Sequence, residues 1–290
     1  MTTTLEEIRQ LRRHEPERIA RALAERPRGR RPSEPGSKLM IIACDHPARG
    51  SLGAGRDAAA MADRGELLRR CAAALGRPGV HGFLGTADMV EDLTLMGALD
   101  HKLVYGSMNR GGLLGASFEM DDRFTGYTTR SIVDAGLDGG KMLLRIDPDD
   151  PGSLRTMAAS ARAVDELADA RLTAMVEPFI TRRIDGRATN DLTTEAVVRS
   201  VAIAAGLAGS SAYTWLKLPM VPDMAAVAAA STLPALILGG AVTEDADATA
   251  AGWAQALRLP GIEGLVIGRA LLYPHGGDVE GAVDRAVGLL

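Results

Sequence analysis

From Lys38 onward the chain alternates short, continuous apolar runs with longer stretches whose apolar residues recur at helical spacing. The first run is Leu39-Met40-Ile41-Ile42-Ala43-Cys44, and the second is His81-Gly82-Phe83-Leu84-Gly85. Further runs occupy residues 102–105, 140–146, 173–180, 213–219, 234–240 and 264–269. The stretches between them predict helices at 58–75, 87–99, 131–136, 153–171, 192–207, 223–230, 243–257 and 278–290. Short runs that are apolar throughout read as strands buried on both faces, and their alternation with helices means a parallel sheet. Eight strand–helix units in about 250 residues fit an α/β fold of the (β/α)8 barrel type. The competitor is a doubly wound sheet, but no G-x-G-x-x-G follows an early strand. The barrel is preferred, and it directs attention to the carboxyl ends of the strands, where such barrels carry their sites.

Ahead of the barrel, residues 1–37 read as a helical extension and linker, with the barrel itself at 38–290. Leu5, Ile8, Leu11, Ile19 and Leu23 are the apolar positions of a charged helix over 5–25, in which Pro16 starts a second helix or kinks the first. Three prolines, two glycines and four arginines over residues 26–36 make a linker, expected to pin an oligomer or cap the barrel bottom. Two connections stand out by length: a polar, glycine-rich one over 106–127, and a charged loop over 181–191.

Composition narrows the function classes. With 46% hydrophobic residues the chain is globular, and a net charge of −4 with pI near 5.8 argues against a general nucleic-acid binder. Cys44 and Cys71 have neither a disulfide framework nor zinc spacing, so a reducing cytoplasm is the expected setting. The opening residues are polar and acidic, so neither a signal peptide nor a membrane span is expected.

Lysine usage is the sharpest chemical signal. Only Lys38, Lys102, Lys141 and Lys217 occur, so 29 of the 33 basic residues are arginine. Lys217 nevertheless sits inside the apolar run Tyr213-Thr214-Trp215-Leu216-Lys217-Leu218-Pro219. Charged groups are almost never buried without a partner or a task, and only a lysine can lose its proton and attack a carbonyl. Lys141 lies in the fourth run, and a barrel-facing side chain there would share an interior with Lys217. Two ammonium groups in a dry cavity repel, which favours a neutral amine able to form a Schiff base. The alternative for Lys217 is a structural ion pair; for Lys141 it is a pair with Glu177 or a place at the strand's entry end. Glu177 lies between Val176 and Pro178, where burial is expected to raise its pKa towards neutrality and suit it to a proton shuttle. Asp45 ends the first strand and either accepts a substrate hydroxyl proton or caps a turn. The five histidines show no metal-ligand spacing, so neither a metal nor any other cofactor is expected and His46 receives no role. Gly239-Gly240 and Gly268-Arg269 end the last two strands, where glycine backbone and a guanidinium hold a phosphate in many barrels.

These pieces resemble the class I aldolases of the tagatose-1,6-bisphosphate type, and more distantly the deoxyribose-phosphate and archaeal-type fructose-bisphosphate aldolases. The resemblance spans about residues 38–275 and rests on Ala43-Cys44-Asp45-His46, Lys141-Met142-Leu143-Leu144 with Asp147, Val176-Glu177, Leu216-Lys217-Leu218 with Pro219, Gly239-Gly240-Ala241-Val242 and Val266-Ile267-Gly268-Arg269-Ala270. It implies that Lys217 forms the Schiff base, that Lys141 and Glu177 handle protons, and that Asp45 is the catalytic carboxylate. It also implies that Gly239, Gly240, Gly268 and Arg269 bind phosphate. The chain departs from that pattern at Asn109-Arg110-Gly111-Gly112 and over 121–127, a loop expected to select substrate, with Arg110 as a further substrate- or phosphate-binding residue. The chain also resembles aldolase-like barrels encoded among inositol-catabolism genes, which implies 2-deoxy-5-keto-gluconate 6-phosphate as a substrate. The expected protein is a cytoplasmic, metal-independent lyase that cleaves a phosphorylated keto sugar or sugar acid and associates as a homo-oligomer, as such barrels commonly do. Its rivals are a sugar-phosphate isomerase or epimerase, and a non-catalytic sugar-phosphate-binding barrel.

Overall fold

The computed structural model describes residues 3–110, 112–240, 242 and 245–290. Gly111 and Ala241 of the motifs above, and Thr243 at the start of an expected helix, lie outside the described residues. Among the described residues nine strands form: β1 (Leu39–Cys44), β2 (Gly82–Gly85), β3 (Leu103–Ser107), β4 (Gly139–Ile146), β5 (Thr173–Ile184), β6 (Arg187–Asn190), β7 (Thr214–Leu218), β8 (Ala235–Leu238) and β9 (Ile262–Ile267). Eight of them pair in parallel in the order β1-β2-β3-β4-β5-β7-β8-β9, and β9 pairs back onto β1 to close the barrel. The (β/α)8 architecture is therefore as expected.

The ninth strand replaces the expected loop over 181–191. β5 runs past the barrel rim and returns antiparallel as β6, with Ile184 opposite Arg187. Asp185 and Gly186 both take positive φ, 49° and 77°. This is the turn that Asp-Gly favours, because its twist matches that of the flanking strands.

Strand periodicity sorts the side chains. Met40, Ile42 and Cys44 of β1 point outward into the core beneath the helices, while Leu39, Ile41 and Ala43 point into the barrel. Leu103, Tyr105, Met175 and Leu236 join that inner cluster, with Trp215 packed against it. The same alternation turns Lys141, Glu177 and Lys217 inward. The outer layer comprises α3 (Arg64–Leu75), α4 (Ala87–Leu95), α5 (Thr129–Asp134), α6 (Gly152–Asp169), α7 (Thr194–Ala205), α8 (Met224–Ala229), α9 (Ala246–Ala256) and α11 (Val279–Val287), with the one-turn α10 (Arg269–Leu272) after β9. The helix expected from residue 58 begins only at Arg64, where the Asp63 side chain caps it by accepting from the Glu66 N–H.

Pro16 separates two helices ahead of the barrel, α1 (Leu5–His14) and α2 (Glu17–Glu25). The linker that follows is tied down. Arg26 is buried and donates to the carbonyls of Leu99, Lys102 and Gly136. Arg28 reaches Asp138, and the Arg31 guanidinium lies 4.5 Å from the centre of the Trp215 ring. These contacts fall at the strands' amino ends, so the arm caps the barrel bottom and leaves the opposite face open. Among the described residues no helix is long and apolar enough to cross a membrane.

Candidate active site

At the carboxyl ends of the strands lies a cavity of about 790 Å³. Its wall includes Asp45, His46, Arg110, Glu177, Lys217, Gly239, Gly240, Gly268 and Arg269, so it gathers residues from both ends of the sequence. Lys141 sits beneath it, 1% exposed, and does not reach the wall.

The centre is a chain of alternating charge. Lys217 Nζ donates to Glu177 Oε1 at 3.0 Å, and Lys141 Nζ bonds the other oxygen of the same carboxylate. Lys141 also donates to Asp45 Oδ2 at 3.1 Å. That oxygen further accepts from Ser107 Oγ at 3.2 Å and pairs with Arg110. Register explains the proximity. Val176 pairs with Leu216, so the next residues, Glu177 and Lys217, point inward side by side. Ser107 stands opposite Lys141.

Burial lowers the pKa of both lysines, because a dry site penalises the ammonium; neighbouring Arg110 pushes in the same direction. Lys141 is pushed well below the ordinary lysine range. Glu177 departs from the sequence expectation. Burial alone would raise it, but Lys141, Lys217 and Arg110 together outweigh burial and hold the carboxyl well below its usual range. It is an ionised carboxylate that holds the two lysine amines by charge and hydrogen bonds.

Around the mouth, Gly240 adopts a left-handed φ of 68°, and Gly268 leaves no room for a side chain, since a Cβ would lie 2.4 Å from the Ala43 carbonyl oxygen. Both glycines let the chain bend closely around the cavity. Arg269 lies beside them and donates to the Gly53 carbonyl at 3.3 Å, while its buried Nε has no partner. Arg110 stands elsewhere, with the buried charge cluster: its Nε donates to Ser107 Oγ at 3.0 Å and its terminal nitrogen holds Asp45. Burial draws its pKa down to about 10, against the pull of Glu177 and Asp122.

Arg49, Glu119 and Arg145, which the sequence does not single out, line the cavity, as does His46, to which the sequence assigns no role. Glu119 accepts from Arg49 at 2.9 Å and also pairs with Arg145, which fastens the long 108–127 connection over β4. Arg145 was visible in principle, since it lies two strand repeats beyond Lys141 on the same inward face. Arg49 and Glu119 lie outside the strands, where no period marks them. Thr189 and Asn190 of the unexpected hairpin also line the wall. Among the described residues no group of three His, Cys, Asp or Glu side chains is placed to hold a metal ion.

The Cgl0159-like family model matches residues 37–287. This chain belongs to the Cgl0159-like family. Within it, the crystal structure of Cgl0159 from Corynebacterium glutamicum is 52% identical, with a TM-score of 0.95 over 98% of this chain and 95% of that one. No curated protein matches the sequence. The Cgl0159-like barrel is also similar to an archaeal fructose-1,6-bisphosphate aldolase, at 17% identity and a TM-score of 0.63 over 93% of this chain and 98% of that one. A further archaeal fructose-1,6-bisphosphate aldolase, solved with its catalytic lysine covalently bound to a carbinolamine intermediate, is 18% identical with a TM-score of 0.63 over 93% and 97%. At that identity the likeness is one of fold.

Proposed function

We propose that this Cgl0159-like protein is a class I aldolase that cleaves a phosphorylated keto sugar or sugar acid through a Schiff base on Lys217. The observation that carries the reading is the inequality of its two buried lysines. Both have lowered pKa values, but only Lys217 reaches the cavity wall, and Glu177 stands 3.0 Å from its amine. The Lys217 ammonium, disfavoured by burial, releases its proton to solvent in the cavity, and the free amine, oriented by Glu177, attacks the substrate carbonyl. Loss of water from the carbinolamine leaves an iminium. Its electron demand lets the carbon–carbon bond one atom further out break to leave an enamine, with the hydroxyl proton received at the Asp45 end of the cavity. Lys141 stays behind, holding Glu177 and Asp45 in register. Arg269 with Gly239, Gly240 and Gly268 seats the phosphate, and the buried, unpartnered Nε of Arg269 supports an anion there.

The test is product analysis by mass spectrometry across a panel of phosphorylated ketoses and keto acids, 2-deoxy-5-keto-gluconate 6-phosphate included. The expected result is two smaller carbonyl fragments. A product of unchanged mass would make the protein an isomerase or epimerase, and binding without any product would leave it a sugar-phosphate-binding barrel.

A further inference from the structure

Two buried polar atoms beside the cavity remain unpartnered, and they lie next to each other. Asp45 Oδ1 and His46 Nδ1 have no hydrogen bond and stand 3.7 Å apart. The other oxygen of Asp45 is already occupied by Lys141, Ser107 and Arg110. A neutral imidazole carries one N–H, and the acceptor it finds decides which nitrogen holds it. Asp45 Oδ1 is an unfilled acceptor beside Nδ1, and a proton held on Nδ1 towards it leaves the lone pair on Nε2. The His46 side chain is 24% exposed. Because Nδ1 itself is buried, that exposure belongs to the rest of the ring, which lines the cavity. A distance of 3.7 Å is long for a hydrogen bond, but such contacts between catalytic groups tighten when substrate binds.

We propose that His46, oriented by Asp45, is the general base of the carbon–carbon cleavage step; this rests on the Schiff-base reading above. Nε2 takes the proton from the substrate hydroxyl carried by the far carbon of the scissile bond. The oxygen–hydrogen pair becomes the carbonyl π bond of the departing aldehyde. The carbon–carbon pair forms the enamine, and the iminium nitrogen recovers its lone pair. The imidazolium then returns the proton to the enamine carbon, which restores the iminium for hydrolysis and leaves the ring neutral. Asp45 thereby acts as the positioning residue behind the base.

The charged groups facing the ring come from several elements: Asp45 after β1, Glu177 on β5, Lys141 on β4, Lys217 on β7 and Arg269 on α10. Burial, then Arg269 and Lys217, hold the His46 pKa well below its ordinary value, so the ring is neutral at pH 7 and its lone pair is free.

His46→Gln and His46→Ala test the assignment, with thermal melting as the check on folding. Cleavage and borohydride trapping are measured side by side on a phosphorylated ketose that the wild type cleaves. The expected His46→Gln protein still gives the Lys217 adduct but cleaves about 10²–10⁴-fold more slowly. Its kcat/KM profile loses the acid limb, which the wild type shows below the ordinary histidine value of about 6.5. Added imidazole restores part of the activity of His46→Ala, a readout that stands if the Gln variant folds poorly. Cleavage at the wild-type rate with the acid limb intact would overturn the proposal, as would loss of the adduct in step with cleavage. Absence of the adduct in the wild type would instead remove the Schiff-base reading, and this one with it.

Discussion

Lys141 and Lys217 differ little in their flanking residues but greatly in what surrounds them. Lys141 touches two carboxylates, Asp45 and Glu177, and does not reach the wall; Lys217 touches one and lines the cavity. Replacing Lys141 by methionine leaves Asp45 and Glu177 buried without the cation they share. Lys141→Met should therefore cost about 3–5 kcal/mol of stability, read by chemical denaturation, as removal of one partner from a buried pair does. An unchanged midpoint would show that the pair does not hold the barrel top. Lys217 makes a prediction about pH. Its ammonium is disfavoured by burial, so the amine fraction grows from a pKa below the ordinary lysine value of about 10.4. The rate of borohydride trapping should rise with pH and level off below that value; a rise that continues through it would contradict the lowered pKa.

The four catalytic candidates could be read from the sequence because each is a charge inside, or at the end of, an apolar strand. The state of Glu177 could not. Burial is visible in a sequence, but the number of cations around a carboxylate is a three-dimensional fact, and here it reverses the sign of the shift. His46 was equally hidden: its claim depends on one unpartnered atom of Asp45.

At the scale of elements, the arm and the long connection are the two pieces whose function lies in what they fasten. Arg26 replaces a secondary-structure contact by donating to three backbone carbonyls under the barrel. Arg26→Ala removes all three hydrogen bonds, although the Leu99 and Lys102 carbonyls keep backbone partners, and should cost about 1–3 kcal/mol, seen as a lower melting temperature, with kcat at 25 °C unchanged. A loss of kcat without loss of stability would mean that the arm reaches the site. Glu119 does for the top what Arg26 does for the bottom. Glu119→Ala removes the carboxylate that Arg49 and Arg145 share, leaves both guanidiniums in the cavity wall and removes one of the ties that hold the 108–127 connection. The expected result is a raised KM together with a lower melting temperature; steady-state kinetics with unaltered KM would separate the connection from substrate binding. Strand and helix positions in the barrel were legible because apolar runs bounded by turn residues repeat eight times. The β5–β6 hairpin carries no apolar run, since beyond the rim its strands are largely polar and exposed, although Asp185-Gly186 carries the turn signal.

For the whole molecule, closure of the barrel is what makes distant residues neighbours. Asp45 follows the first strand and Arg269 the last, yet β1 pairs with β9, so a carboxylate and a guanidinium separated by more than two hundred positions share one cavity. The bottom is filled by an inner apolar cluster and capped by the arm, which leaves the face carrying Lys217 as the open one. The central claim, that Lys217 is a nucleophile, is tested most directly by borohydride reduction in the presence of phosphorylated ketoses, followed by peptide mass mapping. The account predicts a stable adduct on the peptide containing Lys217, absent from Lys217→Met and formed on no other lysine. An adduct on Lys141 in its place, or none with any substrate the protein turns over, would contradict it.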